Sequence, residues 1–92
     1  MQEKIDILMF IMESCPYCRE ALKWMEELIA ADNIYSVFDI KIVDENKERK
    51  LADSYDYYYV PTYYIGWQKV HEGAATKEKI RDVFDTALSR RA

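Results

Sequence analysis

Two cysteines of this 92-residue chain stand three positions apart, in the order Cys15-Pro16-Tyr17-Cys18. Proline suits the first position of a helix, where its missing N–H costs nothing, so we expect a helix to begin at Pro16. The unpaired amides and aligned dipoles of a first turn favour an anion, and this favours the thiolate form of Cys15. A thiol three residues further on lies on the same helical face. The motif therefore predicts disulfide exchange, in which Cys15 attacks a disulfide and Cys18 resolves the mixed disulfide.

Charged residues flank the motif, and its two cysteines also have alternative interpretations. Arg19 adds positive charge beside the motif, whereas Glu13 opposes it. The C-x-x-C spacing also suits zinc, but the chain has no second cysteine pair and its single histidine is His71. Two inert thiols in a core are a further alternative, because cysteine is commonly buried. We predict no metal site and no resident cofactor.

The first half of the chain is expected to form the elements that position the motif. Residues 4–12 are apolar with little alternation, which is typical of a central strand buried on both faces. Apolar residues then recur at helical spacing from Pro16 onwards. We expect this helix to end at Asp32-Asn33, because Asn tolerates the left-handed conformation of a helix terminus. Residues 34–43 are predicted to form a strand with one solvated face and with three apolar residues on the other, namely Phe38, Ile40 and Ile42.

The second half predicts a short helix, a hairpin and a final helix. Asp44 caps a polar helix that runs to about Ser54. Strands over residues 62–65 and 69–72 are joined at Gly66-Trp67-Gln68. Thr76 caps the last helix, whose inward stripe consists of Ile80, Val83, Phe84, Ala87 and Leu88. The order β-α-β-α-β-β-α predicts an α/β domain over residues 1–92, with a four-stranded mixed sheet and helices on both faces.

Composition excludes several classes of function. The 13 Lys and Arg residues and 17 Asp and Glu residues leave a net charge of −4, so the basic footprint of a nucleic-acid binder is missing. The longest apolar run, residues 7–12, is far shorter than the roughly 20 residues of a membrane span. The start of the chain also lacks the pattern of a secretory signal. We therefore expect a cytoplasmic monomer with no membrane or nucleic-acid partner, in a compartment where cysteines stay reduced.

The Cys15-Pro16-Tyr17-Cys18 motif resembles the glutaredoxin form of the active-site motif of the thioredoxin superfamily. Val60-Pro61-Thr62 resembles the second signature of that superfamily. The resemblance covers nearly the whole chain and implies a thioredoxin-like fold, a cis peptide bond before Pro61 and a Val60-Pro61 loop against the thiols. It also implies a thiol-disulfide oxidoreductase acting on protein or small-molecule disulfides. The backbone of Val60 is free to pair with an extended substrate.

The chain combines features of two branches of the superfamily, the glutaredoxins and the thioredoxins. Glutaredoxins usually carry Lys where this chain has Met12, Thr where it has Tyr59, and a Gly-Gly segment where it has residues 72–76. These departures weaken a glutathione site. The second half is instead similar to thioredoxins, although Met9 and Phe10 occupy the stretch where thioredoxins carry a buried Asp. The predicted reductant is therefore either a thioredoxin reductase or glutathione.

Two other functions are also compatible with the motif. The rivals are a glutathione-dependent glutaredoxin that uses Cys15 alone on glutathionylated proteins, and a non-catalytic binding module or iron-sulfur carrier. Six tyrosines between Tyr55 and Tyr64 either line the substrate groove or pack on the sheet and its surface. Besides catalytic Cys15 and Cys18, the predicted supporting or substrate-binding residues are Pro16, Tyr17, Arg19, Tyr59, Val60 and Pro61.

Overall fold

The computed structural model describes residues 4–90. It contains four strands, three α-helices and one 3-10 helix. In chain order these are β1 (Ile5–Ile11), α1 (Pro16–Ala31), the 3-10 helix (Asn33–Val37), β2 (Phe38–Asp44), α2 (Arg49–Asp53), β3 (Thr62–Ile65), β4 (Gln68–Glu72) and α3 (Lys77–Ser89). The predicted order of strands and α-helices is confirmed.

The four strands form one mixed sheet with the order β2-β1-β3-β4. Strand β1 pairs in parallel with β2, while β1 with β3 and β3 with β4 pair antiparallel. The central position of β1 explains its apolar run, because Met9 and Phe10 point to opposite faces and both are fully buried. The prediction of a mixed sheet with a buried first strand is confirmed.

Helices cover both faces of the sheet, as predicted, but to different extents. Helices α1 and α3 pack together on one face, where Met25, Tyr63 and Phe84 belong to the larger apolar cluster. The predicted stripe of α3 is buried there, apart from the partly exposed Leu88. On the other face, the short α2 contributes Ala52 to a smaller cluster around Phe10. Within residues 4–90, no helix has both the length and the apolar character of a membrane span.

The segment after α1 differs from the prediction. Asp32 ends the helix in extended conformation, with φ −140°, and no residue other than glycine has positive φ in the described chain. The Asp32 carboxylate instead accepts a hydrogen bond from the Ile34 N–H at 3.1 Å and caps the 3-10 helix. The predicted strand over residues 34–43 is therefore wrong in its first four residues. Tyr35 is buried in this 3-10 turn, where its hydroxyl donates to Asp85 at 2.7 Å.

Strand β2 and helix α2 also differ in detail. Ile42 is 45% exposed although it was expected to share an apolar face, because β2 is an edge strand. Val43 is fully buried on the face that was expected to be solvated. The Asp44 carboxylate accepts the Asn46 N–H at 2.9 Å within a turn, a local bond that competes with helix formation. Helix α2 consequently begins at Arg49 rather than directly after Asp44.

The β3–β4 hairpin contains an irregularity that matters for the site. Tyr63 pairs with His71 and Tyr64 pairs with Lys69, so Val70 is an extra, unpaired residue of β4. Such a bulge interrupts the two-residue alternation of a strand. Lys69 and Glu72 consequently lie on the same face of the sheet. Regular alternation would have placed them on opposite faces.

Candidate active site

Cys15 is the residue that precedes α1, as the motif predicts. Its backbone is extended, with φ −83° and ψ 115°, and its N–H donates to the Met12 carbonyl at 3.0 Å. Its own carbonyl accepts the N–H of Cys18 at 3.1 Å and of Arg19 at 3.3 Å. Its side chain makes no capping hydrogen bond to the helix. The backbone of Cys15 therefore starts the helix and leaves its sulfur available for other contacts.

The two thiols of the motif differ in exposure. Both are free thiols; Cys15 is partly exposed and Cys18 is buried. Burial raises the pKa of Cys18 from 9.0 to about 12, with the Met12 backbone opposing the shift and the Cys15 thiol and Glu45 carboxylate adding to it. Cys18 is therefore held as a neutral thiol behind a partly exposed partner. A sheltered thiol behind a reachable one suits exchange through a mixed disulfide.

The Val60-Pro61 loop lies against the motif. The Val60–Pro61 peptide bond is cis, as the family resemblance implied, and the Cys15 sulfur lies 3.9 Å from the Val60 carbonyl oxygen. Within residues 4–90, no backbone or side-chain acceptor takes up the Val60 N–H. The structure thus brings together Cys15, Cys18, Val60 and Pro61, although the two pairs are more than 40 residues apart in the chain.

Glu72, at the end of β4, holds the loop that leads to Val60. One oxygen of its carboxylate accepts the backbone N–H groups of both Tyr58 and Tyr59, the second at 3.0 Å. Its other oxygen accepts Lys69 Nζ at 2.7 Å, and Lys69 Nζ also donates to the Asp56 carbonyl at 3.2 Å. The bond to Lys69, followed by that to Tyr58, lowers the pKa of Glu72 from 4.5 to about 2. The carboxylate is therefore ionised throughout the physiological range.

Further hydrogen bonds join the same loop to β3 and β4. The Tyr64 hydroxyl donates to the Asp56 carbonyl, and the Thr62 hydroxyl donates to the Tyr59 carbonyl. The Gly73 N–H donates to the Pro61 carbonyl at 2.9 Å. Residues on both sides of Val60 are thus fixed to the hairpin, whereas the Val60 carbonyl faces the Cys15 sulfur.

The predicted supporting residues occupy the surface around the thiols to different degrees. Pro16 is the first residue of α1, and the Tyr17 ring beside it is 55% exposed. Arg19 donates from Nη1 to the Glu13 backbone carbonyl at 3.4 Å. Tyr59 is 71% exposed directly before Val60. Tyr17 and Tyr59 thus present aromatic surface in the two segments that meet at Cys15.

The six clustered tyrosines divide between the two interpretations. Tyr63 and Tyr64 are buried on opposite faces of β3, in the two apolar clusters. The rings of Tyr55 and Tyr57 pack on Phe10 at centroid distances of 5.1 and 4.8 Å. The remaining two, Tyr58 and Tyr59, are largely exposed next to Val60. Four tyrosines therefore have a packing role, and two are available to a bound molecule.

The side chains that ligate metals are not clustered in the described part of the chain. Within residues 4–90, no group of three or more His, Cys, Asp or Glu side chains is arranged to hold a metal ion. The His71 ring lies on β4, where its Nε2 is 2.9 Å from the Gly73 carbonyl oxygen. His71 is therefore engaged within its own hairpin.

Sequence reasoning missed three residues of the site: Glu72, Lys69 and Glu45. Glu72 and Lys69 act together only because the bulge at Val70 places them on one face, and the residue pattern carries no signal for that bulge. Glu45 accepts the Tyr57 hydroxyl at 2.9 Å and follows β2 directly. A signal for Glu45 did exist, since the carboxyl ends of the parallel strands β1 and β2 meet at the same edge as the motif.

Comparisons with known proteins agree with this architecture. A family model described as a thioredoxin domain matches residues 3–85, while a search of curated proteins finds no match. The germline-specific thioredoxin Deadhead from Drosophila melanogaster is 17% identical, with a TM-score of 0.69 over 92% of this chain and 82% of that chain. The oxidised thioredoxin from Plasmodium falciparum is 18% identical, with a TM-score of 0.70 over the same shares. A mutant thioredoxin from Halobacterium salinarum is 18% identical, with a TM-score of 0.68 over 92% of this chain and 75% of that chain.

Proposed function

The chain belongs to the thioredoxin domain family, and from this membership we propose that it is a thiol-disulfide oxidoreductase that reduces protein or small-molecule disulfides through Cys15 and Cys18. One observation carries the proposal. A partly exposed thiol precedes α1, a buried thiol lies one turn behind it, and the Val60 carbonyl faces the first sulfur at 3.9 Å. Such a pair has the geometry for a disulfide exchange in two steps.

In the first step, the Cys15 thiolate attacks one sulfur of the substrate disulfide. A bond forms between that sulfur and Cys15 Sγ, the substrate S–S bond breaks, and the second substrate sulfur leaves as a thiolate. Cys15 is the attacking residue because its sulfur is reachable, whereas Cys18 is 1% exposed. The first turn of α1 favours negative charge at this position.

In the second step, Cys18 attacks the Cys15 sulfur of the mixed disulfide as a thiolate. The Cys15–substrate bond breaks, the second substrate thiolate leaves, and a Cys15–Cys18 disulfide remains. The substrate has then gained two electrons and, after protonation, two protons. Two of the causes that raise the Cys18 pKa come from the Cys15 thiol. In the mixed disulfide the Cys15 sulfur is neutral and bonded to the substrate, so it no longer opposes ionisation of Cys18.

The substrate is proposed to bind through its backbone next to Val60. The free N–H of Val60 and its carbonyl, which faces Cys15, can pair with an extended segment, a mode of binding that tolerates many sequences. The exposed rings of Tyr17 and Tyr59 flank that segment and offer apolar contact with a polar edge. We therefore expect a segment of a disulfide-containing protein as the main substrate.

After each turnover, an electron donor must return two electrons to the Cys15–Cys18 disulfide. We propose a thioredoxin reductase ahead of glutathione, because two groups in the region where glutaredoxins grip glutathione are already engaged. The Glu72 carboxylate binds the loop amides, and the Gly73 N–H binds the Pro61 carbonyl. We also propose that the protein works as a monomer in the cytosol, where reductases keep thiol pairs open.

The test is reduction of insulin disulfides, together with trapping of the mixed disulfide. The wild-type chain is expected to accelerate the reduction of insulin by dithiothreitol, and Cys15→Ser is expected to abolish the acceleration. Cys18→Ser should accumulate a disulfide-linked adduct through Cys15, identified by mass spectrometry of non-reduced peptides. An adduct that forms through Cys18 in Cys15→Ser would reverse the assigned roles.

The reductant is tested with the same protein in coupled assays. Turnover with NADPH and thioredoxin reductase is compared with turnover with NADPH, glutathione and glutathione reductase. Efficient, saturable turnover only with glutathione would contradict the proposed order of the two reductants. A wild-type chain that reduces no disulfide with either system would refute the function itself.

A further inference from the structure

The Glu72 carboxylate binds two backbone groups of the loop before Val60 and one side chain of its own strand, and it makes no hydrogen bond to either thiol. It accepts two consecutive backbone N–H groups, from Tyr58 and Tyr59, and it is paired with Lys69. We propose that Glu72 is a positioning residue for disulfide exchange, which fixes the loop so that the Val60 backbone is presented to a substrate bound at Cys15. The proposal rests on the proposed function for its kinetic consequence, but its structural part stands on the contacts alone.

The hairpin explains why a residue of β4 can reach this loop. Glu72 pairs with Thr62 in the sheet, and Thr62 directly follows Pro61. The bulge at Val70 rotates Lys69 onto the face of Glu72, so that the ammonium can neutralise the carboxylate and also bind the Asp56 carbonyl at 3.2 Å. Glu72 and Lys69 thus tie the two ends of the segment from residue 56 to residue 59.

The surroundings of Glu72 distinguish it from an ordinary surface ion pair. The Glu72 side chain is 20% exposed and that of Lys69 is 33% exposed. Lys77 and Glu27, which join α3 to α1 at 2.9 Å, are each 41% exposed. Bonds from backbone N–H groups to an ionised acceptor are about twice as strong as neutral ones. Glu72 therefore holds backbone, whereas Glu27 only pairs with another side chain.

Loss of the carboxylate should affect binding of substrate more than the exchange chemistry. The amides of Tyr58 and Tyr59 would then turn to solvent, and the loop would have to be ordered each time a substrate binds. Ordering a loop on binding weakens affinity. The sulfurs of Cys15 and Cys18 would keep their places, because α1 is held by the apolar cluster that it shares with α3.

The first experiment measures amide hydrogen exchange by NMR in the wild type, in Glu72→Ala and in Glu72→Gln. We expect exchange at Tyr58 and Tyr59 to accelerate at least about tenfold in Glu72→Ala, because protection follows local hydrogen bonding. Glu72→Gln keeps one neutral acceptor oxygen and should fall between the two. Unchanged exchange at both amides in Glu72→Ala would overturn the proposal, whatever the activity.

The second experiment measures insulin reduction in the same proteins, with Glu27→Gln as the matched control. We expect Glu72→Ala to raise KM about tenfold with kcat within about twofold, the pattern of lost binding rather than lost chemistry. Glu72→Gln should rescue part of the loss, and Glu27→Gln should match the wild type. Faster loop exchange with unchanged KM, or an equal loss in Glu27→Gln, would overturn the positioning role.

The two experiments separate this proposal from the proposed function. A wild-type chain that reduces no disulfide would refute the function, and the kinetic part of the proposal with it. The exchange data on Tyr58 and Tyr59 would still decide whether Glu72 holds the loop. A catalytically active wild type with unchanged exchange in Glu72→Ala would instead refute the role of Glu72 alone.

Discussion

The two sides of the candidate site are held in place by different forces. On the helix side, Cys18 is fixed by α1, which packs with α3 on a continuous apolar cluster. On the loop side, Val60 is preceded by residues without regular structure, whose backbone is held by Glu72, Lys69 and the Tyr64 hydroxyl. Non-directional apolar packing fixes a whole helix, whereas hydrogen bonds fix individual atoms.

In the proposed disulfide exchange, this difference would let the two sides serve one reaction. The thiols need a constant separation, and a helix that is packed along its length supplies it. Under the proposed function, the loop presents the Val60 backbone to varied partners, and hydrogen bonds fix its position without regular structure behind it. The predictions that test this difference probe three features in turn: the apolar packing, the buried thiol and the polar contacts.

The apolar packing behind the helix side should carry the largest energy. Phe84 is fully buried, with its ring centroid 4.7 Å from that of Phe38 and 5.3 Å from that of Tyr35. Phe84→Ala should lower the free energy of unfolding by about 3–5 kcal/mol, because it leaves a cavity. Urea denaturation measures the loss.

A matched change on the loop side provides the control for Phe84→Ala. Tyr58 is 84% exposed, and Tyr58→Ala should change the free energy of unfolding by no more than about 0.5 kcal/mol. Its backbone N–H, which binds Glu72, is retained in the variant. Comparable losses in the two variants would contradict the division between an apolar side and a polar side.

The buried thiol should be strongly protected from alkylation. The folded Cys18 has its pKa raised from 9.0 to about 12, mainly by burial. In Cys15→Ser, alkylation of Cys18 by iodoacetamide at pH 8 should be slower than in the urea-unfolded chain by roughly two to three orders of magnitude. Mass spectrometry of timed samples measures both rates.

The sign of the Cys18 shift also predicts an effect of alkaline pH on stability. The fold favours the neutral thiol, so this contribution is complete below pH 9 and is lost as the pH rises from 9.0 towards about 12. Native Cys18 that reacts as fast as the unfolded thiol would show that α1 does not shelter it.

A single polar contact on the loop side should give the smallest effect of the three. The Tyr57 hydroxyl donates to Glu45 at 2.9 Å while its ring stacks on Phe10. Tyr57→Phe keeps the ring and should cost about 1 kcal/mol of unfolding free energy, the usual net value of a hydrogen bond. Thermal unfolding of this variant beside Tyr17→Phe, whose ring is 55% exposed, measures the difference. Equal stability of Tyr57→Phe and the wild type would mean that this contact does not hold the loop.

The sequence predicted the helix side of the site more completely than the loop side. Apolar periodicity and Pro16 located α1, and the same reasoning found Thr76, whose hydroxyl accepts the Lys79 N–H at 3.1 Å. Periodicity failed where short polar side chains form local bonds, as at Asp32 and Asp44. In those places a side chain competes with helix and strand for backbone N–H groups.

The contacts of the loop side could not be predicted from residue periodicity, for a different reason. Val60 and Pro61 were found only through a family resemblance, because nothing in their immediate sequence indicates proximity to Cys15. Glu72 belongs to a strand that was predicted correctly, yet its partners depend on an added residue in the ladder. The position of such a residue is decided by how the two strands fit together, which one strand alone does not reveal.

Val70, the unpaired residue of β4, has a consequence for engineering this chain. Removing Val70 would restore regular pairing and would leave Lys69 two positions from Glu72, still on the same face, without any change to either charged residue. Insertions and grafts should be tolerated at Gly66, because its φ of +61° and open surroundings mark an exposed turn. Insertions between Lys69 and Glu72 would instead shift the pairing of β4 with β3 next to the candidate site.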